Sequence, residues 1–105
     1  MSKAVYFVSY NLKKGASIPD FLLAAAKLNN EFISKQKGYI SWEQLNDGKT
    51  WVDLITFETM EDLNNFKEVS RKPSELAKKF YSFMNLLSCK VRIYSTQKSY
   101  GLNSN

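Results

Sequence analysis

The mainly apolar run that begins at Thr50, followed by a capped amphipathic pattern up to Phe66, predicts a strand that leads directly into a helix. Successive side chains of a strand point to opposite faces. One face of this strand carries Trp51, Asp53, Ile55 and Phe57, and the other carries Val52, Leu54 and Thr56. Because both faces are mainly apolar, both need a cover. The helices of the chain can supply one, and we expect a second copy of the protein to supply the other.

Three further segments have strand patterns, namely Lys3 to Tyr10, Tyr39 to Leu45 and Ser88 to Ser95. The first is again apolar on both faces, whereas the other two each have a more polar face, as edge strands allow. Between the second and third strands, Asp47-Gly48 predicts a hairpin, because these residues tolerate the positive φ of tight turns. A loop centred there pairs Gln44 with Trp51, Trp42 with Asp53, and Ile40 with Ile55.

Capping residues mark the predicted helices. Ser17 and Thr59 each stand where a side-chain oxygen can accept from free amides at a helix start. The first helix is expected to end near Lys37, with Gly38 as its C-terminal cap. The second breaks at Lys72-Pro73, since the residue before proline avoids the α region. Ser74 restarts it, and Phe83 and Met84 are expected on its buried side.

The order strand, helix, strand, strand, broken helix, strand predicts an α+β protein with a ferredoxin-like βαββαβ antiparallel sheet. Strands one and three are expected at the centre, strands two and four at the edges, and the helices on one face. Residues 1–95 then form a single domain, followed by a polar tail over 96–105. The uncovered sheet face predicts a homodimer, with an interface of Val5, Phe7, Val52 and Leu54.

Composition restricts the classes of partner. The 105 residues are 44% hydrophobic and 24% charged, which is typical of one globular domain. No apolar run is long enough to cross a membrane and no signal peptide is recognisable, so no membrane partner is expected. The single cysteine, Cys89, agrees with a cytoplasmic location. The net charge of +5 comes from scattered basic residues, which indicates a solvated surface and no nucleic-acid partner.

The absence of histidine excludes several kinds of site. Histidine is the commonest general base and zinc ligand and the usual axial ligand of haem iron. Ser-His-Asp and Cys-His catalysis are therefore excluded, and we expect neither a metal nor another cofactor.

Asp53 is the residue that the pattern does not explain. A carboxylate on an apolar strand face costs several kcal/mol unless it is paired or hydrogen-bonded. In one interpretation it lies in an aromatic pocket with a raised pKa suited to proton transfer. In the other it has a structural role, accepting a hydrogen bond from the Trp42 indole or pairing with a Lys or Arg near the sheet edge.

The chain resembles the dimeric α/β-barrel superfamily, in particular its antibiotic biosynthesis monooxygenase-like family, over roughly Lys3 to Ser95. The resemblance rests on the element order, on the segment Leu12-Lys13-Lys14-Gly15, and above all on LITFETMEDLNNF from Leu54 to Phe66. Phe57 stands at the position of a strand-ending aromatic residue, often tryptophan. Thr59 stands at the following cap, and Glu61 and Asp62 form the acidic pair.

This resemblance implies a cleft between helices and sheet, with tentative ligand contacts from Tyr6, Tyr10, Trp42, Asp53 and Phe57. It also implies a cofactor-independent monooxygenase-like enzyme that acts on a small aromatic or quinone-like molecule. Haem-degrading members use an asparagine, a tryptophan and a helical histidine. The corresponding positions here are Val8, Phe57 and a stretch without histidine around residues 77–80. The alternative is a non-catalytic dimeric module that binds a small ligand or a protein.

Overall fold

A computed structural model describes residues 2–101 of the chain. It contains four strands and three α-helices: β1 (Ala4–Leu12), α1 (Ile18–Glu31), β2 (Tyr39–Asn46), β3 (Trp51–Phe57), α2 (Met60–Val69), α3 (Glu75–Tyr81) and β4 (Met84–Ser95). The strands form one antiparallel sheet in the order β2-β3-β1-β4. The predicted ferredoxin-like fold is therefore confirmed, with β1 and β3 at the centre. Residues 102–105 of the predicted tail lie outside the described residues.

The three predicted N-caps are confirmed. The hydroxyl oxygens of Ser17, Thr59 and Ser74 accept from the backbone amides of Asp20, Asp62 and Ala77 at 3.3, 3.0 and 3.2 Å. These bonds satisfy amides that have no partner within the first helical turn. The predicted break at Pro73 also occurs, between α2 and α3.

Several element boundaries differ from the prediction, and β1 and β4 are longer than expected, since β1 continues to Leu12 and β4 begins at Met84. The helix α1 ends at Glu31, not near Lys37, and a 3₁₀ turn over Ile33–Lys35 follows it. This turn buries Ile33, which is 4% exposed, in the core. Phe83 and Met84 are not helical, because Met84 pairs with Leu12 at the end of β1 and the carbonyl of Phe83 accepts from the Lys13 amide at 2.8 Å. Sheet pairing therefore ends α3 earlier than its periodicity indicates.

The predicted hairpin register is wrong by two residues. The loop contains four residues, from Asp47 to Thr50. Side-chain hydrogen bonds stabilise this loop, which is wider than the predicted turn centred on Asp47-Gly48. The Asp47 carboxylate accepts from the amides of Lys49 and Thr50 at 2.9 and 2.7 Å, and the Asn46 side chain accepts from the Gly48 amide at 2.8 Å. An even shift leaves the side chains from Ser41 to Asn46 on their predicted faces. A bulge between Tyr39 and Ser41 turns Tyr39 toward the helices, where its hydroxyl donates to Asn29 at 2.9 Å. The observed pairs include Asn46 with Trp51, Gln44 with Asp53, and Trp42 with Ile55.

The hydrophobic core lies between the sheet and the helices. Phe21 of α1 is fully buried at its centre, with its ring stacked 5.1 Å from Phe80 of α3 and in edge contact with Tyr10 of β1. The opposite sheet face has no helix, and Phe7 and Leu54 are only half-buried there. Within residues 2–101, none of the helices combines the length and the apolar character that crossing a membrane requires.

Candidate functional site

Asp53 lies in the middle of β3 and faces the helices, where it is only 3% exposed. Its Oδ1 accepts a hydrogen bond of 2.9 Å from the hydroxyl of Tyr10 on the adjacent strand β1. The sequence suggested Trp42, or a Lys or Arg, as the partner of this carboxylate. The Trp42 indole lies close enough to lower the pKa of Asp53, Tyr10 is a donor that the sequence did not suggest, and within the described residues no Lys or Arg is paired with Asp53. Neither of the two ion pairs among residues 2–101, Glu68 with Arg71 and Glu75 with Lys78, includes Asp53.

Burial changes the acidity of both members of this pair. Loss of hydration raises the pKa of Asp53 to about 7, although the hydrogen bond from Tyr10 opposes the increase. Burial, followed by the neighbouring carboxylate, raises the pKa of Tyr10 well above its usual range, so that Tyr10 stays a donor. Near neutral pH, Asp53 is therefore present in both its acidic and its basic form, as a residue that exchanges protons must be.

Two further N–H groups lie near the carboxylate. The indole of Trp42 and the amide of Gln44 are close enough to lower the pKa of Asp53. Neither makes a hydrogen bond of regular geometry, and Trp42 Nε1 and Gln44 Nε2 are buried without a partner. Among residues 2–101, Tyr10 makes the one side-chain hydrogen bond of regular geometry to Asp53, and Trp42 and Gln44 direct further N–H groups toward the carboxylate. Buried polar groups without partners are rare in folded proteins.

A cavity of about 240 Å³ lies between the sheet and the helices, and Asp53 and Trp42 form part of its wall. The rest of the wall is mainly apolar and includes Val8, Ile55, Phe66 and Phe80. Typical small-molecule sites measure roughly 300 to 1,000 Å³. An outer groove of about 400 Å³ adjoins the cavity and shares Tyr6, Ser70 and Tyr81 with it. Together they form a small apolar chamber with one carboxylate and a wider polar entrance.

The structure distributes the five predicted ligand contacts over three places. Tyr6, Trp42 and Asp53 line the cavity. Tyr10 is 1% exposed and lies behind Asp53, where it contacts the carboxylate and the core. Phe57 is completely buried and packs against Phe66 with ring centroids 5.1 Å apart, outside the cavity lining.

Sequence reasoning did not select Tyr81 and Cys89, which line the cavity, or Gln44, which lies beside Asp53 outside the cavity lining. Gln44 is paired with Asp53 across the hairpin, and the register error concealed this relationship. Tyr81 and Cys89 come from the end of α3 and from β4, and both line the cavity. Burial, with a smaller effect of Asp53, raises the pKa of the Cys89 thiol. The thiol is thus kept protonated, which is unfavourable for a nucleophile.

Metal ligands do not cluster in the described part of the chain. Residues 2–101 contain no group of three or more histidine, cysteine, aspartate or glutamate side chains that is arranged to hold an ion. The chemistry that this site can supply is therefore that of one buried carboxylate in the wall of an apolar chamber.

Comparison with known proteins identifies the fold. No description of a protein family matches the sequence, and no curated protein matches it closely. The structure of SnoaB, a cofactor-independent oxygenase from Streptomyces nogalater, matches with a TM-score of 0.71 at 10% identity, over 94% of this chain and 97% of that one. A candidate antibiotic biosynthesis monooxygenase from Nitrosomonas europaea matches with a TM-score of 0.68 at 17% identity, over 94% of both chains. The chain has the antibiotic biosynthesis monooxygenase-like fold.

This fold carries more than one chemistry. A hydroxynitrile lyase from Passiflora edulis also has it, and matches with a TM-score of 0.64 at 19% identity over 94% of this chain and 97% of that one. The monooxygenase-like fold therefore does not specify a reaction, and the site residues of this chain must supply the functional argument.

Proposed function

We propose that this protein binds a small aromatic molecule in the cavity beside Asp53 and acts on it as a cofactor-independent monooxygenase-like enzyme. The observation that carries the proposal is a buried carboxylate with a pKa near 7 in the wall of an apolar cavity. The description of SnoaB as a cofactor-independent oxygenase adds support, because that protein has the same fold.

The proposed reaction begins with proton transfer. A carbon-bound proton of the substrate passes to a carboxylate oxygen of Asp53, and the electron pair of the broken C–H bond stays on the substrate as a carbanion delocalised into its ring. Dioxygen then takes up these electrons. Overall, a methylene group and one O₂ give a carbonyl group and one water. The apolar walls exclude water from Asp53, and this loss of hydration brings the pKa of its carboxyl group close to neutral pH.

Proton transfer can be tested without dioxygen. In 2-tetralone, the C1 methylene lies between a benzene ring and a carbonyl group, and its exchange for deuterium in D₂O under nitrogen can be followed by proton NMR. We expect the wild type to accelerate this exchange, and Asp53→Asn to lose the acceleration by at least about a hundredfold. Asp20→Asn is the matched control, because Asp20 is exposed on α1. Equal acceleration by wild type and Asp53→Asn would contradict the role of Asp53.

A second candidate function is a dimeric module that binds a small ligand, or a protein, without catalysis. The 2.9 Å bond from Tyr10 favours it, because this bond explains the burial of Asp53 without any substrate. A thermal-shift screen of aromatic and quinone-like compounds separates the candidates, since a ligand of the native state alone raises its stability. Ligands that bind the wild type but undergo neither exchange nor oxygenation would favour the binding module.

The working unit in either case is a proposed homodimer. Val5, Phe7, Val52 and Leu54 stay half-buried on the sheet face that no helix covers. Pairing across the strands aligns Glu43, Leu54, Phe7 and Arg92 in one row on this face. The row is acidic at one edge, apolar in the middle and basic at the other edge. Two copies related by a twofold axis parallel to the strands would bring Glu43 of one copy opposite the partner's Arg92.

A further inference from the structure

The polar groove beside α2 opens directly into the cavity, and the two share Tyr6, Ser70 and Tyr81. The cavity, at about 240 Å³, is smaller than most small-molecule sites, whereas the groove adds about 400 Å³. A molecule whose ring fills the cavity can therefore extend past the shared residues into the groove. Because the cavity wall is mainly apolar, a polar group of that molecule is favoured on the groove side.

The groove carries more positive than negative charge. Lys67 and Arg71 lie on the same side of α2 and its C-terminal end, and both line the groove together with Glu68. Glu68 pairs with Arg71 at 3.5 Å, but both side chains are largely exposed, so this ion pair is weak. Lys67 belongs to neither of the ion pairs among residues 2–101. Two cations and one carboxylate leave the groove with an excess of one positive charge.

Two phenol groups lie at the junction between the cavity and the groove. Tyr6 of β1 packs edge to face against Phe66, with ring centroids 5.9 Å apart. Tyr81, the last residue of α3, packs against Phe80 with centroids 5.8 Å apart. These contacts restrict both rings, so their hydroxyl groups need little further ordering to bind a ligand.

Both hydroxyl groups are available to a ligand. Within residues 2–101, the tyrosine hydroxyls that make hydrogen bonds to protein groups are those of Tyr10 and Tyr39. The hydroxyl oxygen of Tyr6 is not closed off from solvent, and Tyr81 is 38% exposed. Partial burial raises the pKa of both Tyr6 and Tyr81, so each keeps its proton near neutral pH and can donate it in a hydrogen bond.

The geometry points to an aromatic carboxylate as the ligand, with its ring in the cavity and its carboxylate at the junction, an inference that rests on the proposed function. The hydroxyls of Tyr6 and Tyr81 donate to the carboxylate oxygens, and Lys67 and Arg71 balance the charge from the groove. The opposite orientation is unfavourable, because it would bring a second carboxylate next to Asp53 in an apolar wall. The ring end of the ligand therefore meets Asp53.

The probes 2-naphthoate and 2-naphthamide test this inference. They have the same ring system and nearly the same shape, but only 2-naphthoate is charged at pH 7.5. Isothermal titration calorimetry measures both affinities. We expect the wild type to bind 2-naphthoate about tenfold more tightly than 2-naphthamide at low ionic strength. This preference should decrease in about 0.5 M salt, because salt screens charges in an open groove.

Substitutions in the groove test the source of the preference. Arg71→Gln and Lys67→Gln should each reduce the preference for 2-naphthoate about threefold and leave the affinity for 2-naphthamide unchanged. Lys49→Gln is the matched control, because it removes one positive charge from the exposed hairpin loop, outside both the groove and the cavity. It should keep the preference of the wild type.

Substitutions at the junction test where the carboxylate lies. Tyr6→Phe and Tyr81→Phe each keep the ring and remove one hydroxyl. Each should weaken binding of 2-naphthoate about fivefold and binding of 2-naphthamide less, because hydrogen bonds to a charged group are the stronger ones. Tyr100→Phe is the matched control, since Tyr100 is exposed and outside the groove and the cavity.

The possible results lead to different conclusions. Equal binding of both probes by the wild type overturns this inference and leaves the proposed function intact. An equal loss of preference in Lys49→Gln and Arg71→Gln would assign it to the net charge of the protein, and unchanged affinities in both junction variants would place the carboxylate elsewhere; either result overturns the inference. If neither probe binds a wild type that still accelerates exchange in 2-tetralone, this inference alone is wrong. Without that acceleration, the proposed function is rejected as well.

Discussion

At the scale of single residues, Asp53 is held in an apolar layer by one strong hydrogen bond. Removing a carboxylate from water disfavours its charged form, and the bond from Tyr10 restores only part of the lost hydration. Neither of the described ion pairs supplies a cation to the Asp53 carboxylate. Ionisation of Asp53 at high pH therefore destabilises the folded state. The burial that raises the pKa of Asp53, and so makes it a candidate base, therefore also makes the stability of the fold depend on pH.

We predict that Asp53→Asn removes a pH dependence of the free energy of unfolding. Burial raises the pKa of Asp53 from 3.8 to about 7, so between these values the folded state keeps a proton that the unfolded chain has lost. Wild-type stability should therefore fall as pH rises from about 4 to 7, by about 4 kcal/mol in total, and level off above. The amide of asparagine can still accept from Tyr10 but does not titrate.

Urea unfolding at pH 4.5, 6.0 and 7.5, at constant protein concentration, measures this effect. The informative quantity is the difference between the two proteins, because all other titrating groups are shared and cancel. Asp53→Asn should be the less stable protein, or equal, at pH 4.5 and should gain relative to the wild type at pH 7.5. If the free energies of unfolding of the two proteins change with pH in parallel, Asp53 has the same pKa in the folded and unfolded states, and the prediction is wrong.

At the scale of elements, a glycine sets how closely the start of β2 approaches α2. Gly38 has φ near 80°, and its carbonyl accepts from the amide of Glu58 at 2.7 Å. A Cβ atom at this position would overlap the side chain of Asp62 in the first turn of α2. These contacts join the residue before β2 to the β3–α2 connection and to the first turn of α2.

We predict that Gly38→Ala destabilises the protein more than Gly48→Ala does. Both glycines have a positive φ, which costs an alanine about 1 kcal/mol. Only Gly38 adds the overlap with Asp62, because nothing lies within 4 Å of a Cβ at Gly48. We expect a further loss of about 1 to 3 kcal/mol from this overlap. Thermal unfolding of the two variants, side by side, measures the difference. Equal losses of stability would mean that α2 can shift away from the added methyl group at no cost.

At the scale of the whole molecule, the two faces of the sheet differ in their cover. Helices bury one face, which holds Asp53, and leave the other face with apolar residues in its centre and opposite charges at its edges. An apolar sheet face without a cover is a common site of association. In the proposed dimer, charge would decide the orientation of the two copies, and apolar area would supply most of the affinity.

We predict that reversing one charge weakens the dimer and that reversing both restores it. Glu43→Arg and Arg92→Glu should each raise the dimer dissociation constant about tenfold, because each would place like charges opposite one another. The double variant exchanges the two charges and should approach the wild type. Light scattering over a concentration series measures the association. A monomeric wild type at micromolar concentration would reject the dimer, and additive losses in the double variant would reject the proposed orientation.

A substitution in the centre of the face tests the dimer independently of its orientation. Leu54→Arg places a charge in the middle of the row, where roughly 1,600 Å² or more of buried surface is expected. It should give a folded monomer, since Leu54 points away from the core. Circular dichroism checks the fold of this variant, and an unchanged molecular mass would exclude this face as the interface.

The sequence by itself determined the features that depend on neighbours along the chain. The period of two in β3 assigned Asp53, Ile55 and Phe57 to one face, and it remained correct when the register moved by two residues. The caps at Ser17, Thr59 and Ser74 were predictable because a helix start needs acceptors within three residues. The order of the elements, together with the assignment of residues to these faces, was enough to predict the ferredoxin-like fold.

Only the tertiary structure decided the features that join distant segments. Tyr10 and Asp53 are 43 residues apart, and their bond exists because β1 and β3 pair in one particular register. The sequence assigned Tyr6, Trp42 and Phe57 alike to the helix-facing side, yet only the first two reach the cavity, because helix α2 covers Phe57 with Phe66. Periodicity assigns a residue to a face of the sheet. Whether that residue meets core, cavity or carboxylate depends on the packing of the other layer.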